Sequence, residues 1–315
     1  MPQPERLRGP TPARPEDIDS INRVFSEAFT DRYQRDGMSG VRVPLLNPAI
    51  WRFAIAAAGD GAMVWRDRAG EVVAFNLVHQ SGAEGWMGPL AVRPARQGEG
   101  VGGLIVRAAI SRLQEAGARV IGLETMPRTV ENIGFYSHLG FRPEYLTVSM
   151  SHELAGPRPD RGGSLVSREG NLVDCQALVE ALAPGVDFSR ELSLTLESKL
   201  GDATLLAERG TPVAFALWHS APLAEGRPAD EIRVLKLAAK NLSAFRRLLS
   251  ALEASAWSVH AKRIAIRCQT AYRDAYGALL EAGYRVHWTD LRMTLDGKRE
   301  ESPPGEGILF SNWEI

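Results

Sequence analysis

The stretch WMGPLAVRPARQGEGVGGLIVRAAISRLQEAG (86–117) decides how the chain is read. Met87 to Val92 form a short apolar run, the mark of a strand, and Pro94 closes it. A turn follows, Gln97-Gly98-Glu99-Gly100-Val101-Gly102-Gly103, with glycine at four of the six positions from 98 to 103. Then comes a helical pattern. Val101, Ile105, Ala109 and Leu113 share one stripe with Val106 and Ile110 beside it, and Gly117 is placed as the C-cap. Strand, glycine turn and helix start together suit an anion. The first helical turn has unpaired N–H groups at its positive end, and glycine lets a ligand approach the backbone. The pattern Gly-x-x-x-x-Gly-Lys-Ser/Thr is absent, so this is no P-loop. A dinucleotide-binding unit would need parallel strands on both sides, and a hairpin precedes the turn here.

Working outward, the chain repeats itself. GDGAMVWRDRAGEVVAFNLVHQ (59–80) is echoed by GDATLLAERGTPVAFALWHS (201–220), and both read as hairpins turning at Gly70 and Gly210. ARVIGLETM (118–126) matches KRIAIRCQT (262–270), and HLGFRP (138–143) matches EAGYRV (281–286). The halves close on the alternating runs YLTVSM (145–150) and LRMTL (291–295). A short strand near Leu7 and a helix from Pro15-Glu16-Asp17 open the first half; LVS (165–167) and a helix around 171–183 open the second. Each half is expected to run strand, helix, hairpin, strand, helix, strand, helix, strand. The expected fold class is therefore α/β with mixed, mostly antiparallel sheets flanked by helices, in two tandem units. The boundaries fall at 1–154 for the first unit, 155–163 for a Gly/Pro-rich linker, 164–295 for the second unit, and 296–315 for a tail expected to dock as a strand.

The 86–117 segment resembles the acetyl-CoA signature of the GNAT acetyltransferase superfamily, Arg/Gln-x-x-Gly-x-Gly/Ala, here Gln97 to Gly102 preceded by Val92-Arg93-Pro94. ETMPRTVENIGFYSHLGF (124–141) resembles that family's second signature, with Tyr136 four residues before Gly140-Phe141. The resemblance implies that acetyl-CoA is the co-substrate and that no metal is needed. It implies a diphosphate held by the backbone of Gln97, Gly98, Glu99, Gly100, Val101, Gly102 and Gly103. The pantetheine arm would lie along Leu90, Ala91 and Val92. Tyr136 would protonate the leaving thiolate, as a phenol protonated at neutral pH can. One departure stands out. The family often has asparagine seven residues before the tyrosine, where this chain has Thr129; Asn132 is the alternative contact to the arm. In the second half, Lys240-Asn241-Leu242-Ser243-Ala244 replaces the glycine turn and Leu279 stands at the tyrosine's place, so that half is expected to have lost the chemistry.

The general base is open. Glu124, ending a central strand, is the best carboxylate candidate, with Glu84 and His79 just before the cofactor strand. Phe25, Phe29 and Tyr33 are candidate acceptor walls or core residues. The acceptor is an amine, on a small molecule or on a peptide or protein. A non-catalytic acyl-CoA-binding regulator is the alternative function. A net charge of −1 favours neither nucleic acid nor membrane partners, and a homodimer is compatible with the reading. No apolar run is long enough to span a bilayer, so the expectation is a soluble, cytoplasmic protein with two reduced cysteines, Cys175 and Cys268.

Overall fold

In the first half β1 (Arg8–Pro12) is followed by two helices, α1 (Ile18–Arg35) and α2 (Pro48–Ala58). Only one had been expected. α2 is mostly apolar and buries Ile50, Trp51, Ala54, Ala57 and Ala58 on one face; Asn47 caps it, its side chain accepting from the Ala49 N–H at 3.0 Å, and Pro48 sits in the first turn. The hairpin β2 (Ala62–Arg66) and β3 (Val72–Ser81) leads to β4 (Glu84–Val92), α3 (Val101–Glu115), β5 (Val120–Thr125), α4 (Val130–His138) and β6 (Phe141–Glu153). The computed structural model describes residues 7–154, 171–301 and 305–311; the linker at 155–163 and the strand expected at 165–167 lie outside them.

The second half repeats the plan: α5 (Asn171–Leu182), α6 (Ser189–Glu197), β7 (Gly201–Glu208), β8 (Thr211–His219), β9 (Glu231–Ala239), α7 (Leu242–Ser258), β10 (Arg263–Gln269), α8 (Arg273–Glu281) and β11 (Arg285–Leu295). The β7–β8 turn puts Arg209 and Gly210 both at positive φ, 50° and 80°, which suits the twist of a two-residue hairpin. Both cysteines are free and buried.

The two half-sheets are fused into one, ordered β1-β2-β3-β4-β5-β11-β6-β10-β9-β8-β7. Their closing strands are exchanged. β11 of the second half pairs antiparallel with β5, Arg292 facing Glu124, and β6 of the first half pairs antiparallel with β10. The cores follow the exchange. Met293 lies among Ile105, Val106, Leu113 and Phe141 of the first half, while Val148 and Met150 lie among Phe245, Leu248 and Ile264 of the second. These side chains are almost wholly buried, and each such burial stabilises by about 1.5–3 kcal/mol, so neither core is complete without the other half's strand.

The tail forms one more strand, β12 (Ile308–Ser311), antiparallel to β9. Ile308 faces Ala239 and Ser311 faces Lys236.

Candidate active site

β4 and β5 run parallel only from Glu84/Val120 to Met87/Leu123. Beyond that point they part. β4 stays on β3, with Leu90 facing Asn76 and Val92 facing Ala74, whereas Glu124 and Thr125 pair with β11. A bulge in β4 accompanies the split: between the pairs Asn76/Leu90 and Val78/Met87, one residue of β3, Leu77, opposes two of β4, Gly88 and Pro89. Leu90, Ala91 and Val92 thus border a slot on their β5 side, and Gly88, Pro89 and Leu90 are only half-buried amid buried neighbours.

The glycine turn stands at the mouth of this slot. Gly98 and Gly100 have φ of +82° and +80°, a region L side chains rarely adopt, and a Cβ on either would meet nothing within 4 Å. The turn is therefore both glycine-dependent and bare on its outer side. Gly100 is the N-cap of α3 and no side chain caps that end, so the N–H groups of Val101, Gly102 and Gly103 remain to receive an anion. Gln97 does not point outward as a ligand. Its Nε2 donates to the Val92 carbonyl at 3.0 Å and braces the turn. Glu99 is turned back too, accepting from Arg96 Nε at 2.9 Å, which offsets a negative charge beside an anion site.

The matching place in the second half is closed. Asn241 caps α7, its side chain accepting from the Ala244 N–H at 2.9 Å, so the group that would greet a phosphate is already satisfied.

α4 carries Tyr136 beside the slot. The ring packs with Leu90, Val101 and Val92 in one cluster, 5.1 Å from the Phe135 ring and 6.1 Å from that of Phe141. Phe135 also lies under Gly102, where a Cβ would come within 3.2 Å of its ring, so α3 and α4 meet at the turn. Burial pushes the Tyr136 phenol up to about 12. Its hydroxyl makes no hydrogen bond among the described residues, which leaves it available to a ligand. Among the described residues Asn132 reaches only Thr125 Oγ1, at 3.5 Å. Thr129 is fully buried and donates to Asp36 Oδ2 at 2.5 Å, tying α4 to the end of α1.

Glu124 proves unsuited to the role of base. Burial alone would raise its carboxyl, but Arg267 and Arg292 outweigh that and bring it down to about 2. Arg292 Nη1 lies 2.7 Å away, Arg267 Nη2 also donates to it, and Thr147 Oγ1 donates at 2.5 Å. A carboxylate so stabilised has little affinity for a proton. His79 is brought to about 3, chiefly by burial and then by Lys236; Glu84 is raised, chiefly by burial and then by Glu300. Glu84 accepts from Trp86 Nε1 at 3.2 Å and from Ser311 Oγ at 2.8 Å, inside the molecule.

Sequence reasoning missed the second half's contribution. Trp288, on β11, lies 5.8 Å from the Tyr33 ring, and Tyr33 ends an aromatic row through Phe29 (6.3 Å) and Phe25 (4.6 Å further). Phe25 faces inward onto Trp51 at 5.6 Å and belongs to the core. No sequence signal marked Trp288, because nothing in LRMTL or its flank tells which half that strand joins. A groove of about 680 Å³ lined by Gly59, Asp60, Arg112 and Arg190 lies at the opposite end of α3 from the glycine turn. Among the described residues no cluster of His, Cys, Asp and Glu is placed to hold a metal, and no helix is long and apolar enough to cross a membrane.

Splayed parallel strands, a bare glycine turn and a half-buried tyrosine on the next helix are arranged here on the mixed α/β GNAT fold. Residues 19–141 match the acetyltransferase (GNAT) family. Three solved structures share the whole fold. A Pyrococcus horikoshii protein described as an acetyltransferase is 20% identical, with 93% of this chain and 89% of that one aligned at a TM-score of 0.65. A GCN5-related N-acetyltransferase from Sphaerobacter thermophilus is 15% identical, aligned over 100% of both chains at 0.60. Saccharomyces cerevisiae N-myristoyltransferase, solved with bound myristoyl-CoA, is 9% identical, covering 94% of this chain and 79% of that one at 0.62. No curated protein matches the chain.

Proposed function

We propose that the chain transfers an acetyl group from acetyl-CoA to an amine, directly, within a ternary complex. The observation that carries this reading is the conjunction of an open slot along Leu90–Val92 with a positive-φ, uncapped glycine turn at its mouth. The residues fit such a co-substrate. Loop and helix N–H groups from Gly98 to Gly103 hold the diphosphate. The β4 backbone at Leu90 to Val92 pairs with the amide-bearing arm as an added strand would, and a strand N–H there polarises the thioester carbonyl. Tyr136 holds a proton beside the slot and delivers it to the departing sulfur. The slot fixes the thioester while Tyr33 and Trp288 wall the amine's approach, so the gain is chiefly one of orientation.

A base among Glu124, Glu84 and His79 is disfavoured, since Glu124 is ion-paired and the other two lie inside the protein. The amine then loses its proton to water, and the pH–rate profile should follow the amine's own ionisation. A thiol-release screen of the purified protein with acetyl-CoA against small amines, amino acids, peptides and lysine-bearing proteins tests the proposal. Release stimulated by one class identifies the acceptor; coenzyme A binding with no release for any of them would favour a regulatory acyl-CoA-binding role.

A further inference from the structure

We propose that Ser311 is a positioning residue for acyl transfer, delivered by β12 lying in the second half's counterpart of the working slot. The inference rests on the reading that Leu90 to Val92 border the cofactor arm. The counterpart is fixed by register. Val92 faces Ala74 in one half and Ala239 faces Ala214 in the other, within the repeated Val-Ala-Phe of β3 and β8. The Arg93 N–H donates to the Val73 carbonyl and the Lys240 N–H to that of Val213, both at 2.8 Å. Leu90-Ala91-Val92 therefore corresponds to Leu237-Ala238-Ala239. β9 and β10, like β4 and β5, part company after a short parallel stretch, here ending at Arg233/Ala265. It is Leu237, Ala238 and Ala239 that Phe310, Leu309 and Ile308 pair with. The chain's own tail thus lies where an amide-bearing arm would lie in an active half. Phe310 anchors it, fully buried and 5.8 Å and 5.6 Å from the rings of Phe245 and Tyr272.

From this berth Ser311 reaches the first half. Its Oγ donates to Glu84 at 2.8 Å and lies 3.4 Å from Lys236 Nζ, while its carbonyl accepts from Arg292 Nη2 at 3.2 Å. Glu84 opens β4 and faces Val120, the point where β4 joins β5. Arg292 holds Glu124, just past the point where β5 departs. One residue therefore touches the groups that fix both strands at the root of the working slot. A buried carboxylate short of a donor draws its backbone toward another, so the Ser311 hydroxyl holds β4 where the arm must dock.

The test uses full-length Ser311→Ala and Ser311→Thr, with coenzyme A calorimetry and steady-state thiol release. Ser311→Ala should raise the Kd for coenzyme A and the KM for acetyl-CoA about tenfold, with the amine KM changed less than about twofold; Ser311→Thr, which keeps the hydroxyl, should recover most of the loss. Wild-type Kd, KM and kcat in the alanine variant overturn the proposal, as does an equal loss for acetyl-CoA and amine. Should Ser311→Ala not fold, Phe310→Leu loosens the anchor instead, and hydrogen exchange of the Glu84–Val92 amides should quicken along with the rise in Kd; unchanged exchange and Kd overturn the idea. A wild-type protein that binds no coenzyme A removes the underlying reading of the slot, whereas tight wild-type binding with an unaltered variant removes only the role of Ser311.

Discussion

The Arg292 guanidinium lies 2.7 Å from the Glu124 carboxylate although 168 positions separate them in sequence. The same guanidinium packs 3.5 Å from the Trp86 ring centre and takes two further contacts from Glu300, at 2.8 and 2.9 Å. Arg292 is 1% exposed, so its charge is neutralised wholly by protein. Such a pair is worth little against an apolar replacement of both members but a great deal against loss of one.

Arg292→Ala should therefore destabilise the chain by about 3–5 kcal/mol, leaving Glu124 and Glu300 short of their counter-ion. The acid side of this site has a sign. Glu124 is held at about 2 against an ordinary 4.5, so its stabilisation is complete above pH 4.5 and drains away as pH falls toward 2. Denaturant melts of the wild type and Glu124→Gln should converge across that window; parallel curves would contradict it.

Tyr136→Phe separates the enzyme from a sensor. Turnover should fall by roughly 10²–10⁴-fold while coenzyme A affinity holds, because the hydroxyl serves proton transfer and not binding. With the phenol near 12, no alkaline limb in kcat between pH 7 and about 10 should come from this residue. Equal losses in affinity and turnover would speak against the role.

Gly100→Ala and Gly70→Ala form a matched pair. Both positions have positive φ, +80° and +89°, and open space around a Cβ, so both substitutions should cost about 1–2 kcal/mol of stability. Only Gly100→Ala should weaken coenzyme A binding, by about tenfold or more, as the turn opens or its N–H groups lose alignment. Comparable affinities in the two variants would detach the turn from the ligand.

His79 and His219 predict acid lability well above the carboxylate range. Each is brought to about 3, chiefly by burial, with Lys236 adding to the first and Arg233 to the second. Both are neutral in the folded chain and protonate near 6.5 when unfolded. Their stabilisation is complete above pH 6.5 and declines from there toward pH 3, by roughly 2 kcal/mol per histidine at pH 5. The melting temperature should drop between pH 7.5 and 5, and a flat profile would refute the assignment.

Much of the first half was legible because its devices are local. Gly98 and Gly100 signal positive φ by composition alone, and the α3 stripe signals burial by spacing. α2 was missed because Arg52 is the one charged residue of PAIWRFAIAAA, so little polar contrast marks the face that buries Ile50, Trp51, Ala54 and Ala57. Glu124 resembled a base because a carboxylate at a strand end is all the sequence shows; Arg267 and Arg292 come 143 and 168 positions later. The exchange of β6 and β11 left no trace at all. The two runs are copies of one pattern, alternating polar and apolar, and either would fit beside β5. Arg292 reads there as an outward residue, yet Trp86 and Glu124 of the first half and Glu300 and Ser311 of the tail enclose it.

The exchanged strands also set a clock on biosynthesis. β5 is finished by residue 125, yet the strand that shields its open edge begins at residue 285. A ribosome adding about 5–20 residues per second must work for roughly 8–30 s before synthesis of that partner even begins. For that interval the nascent chain offers a sticky, half-made sheet, and the core that Met293 completes stays open.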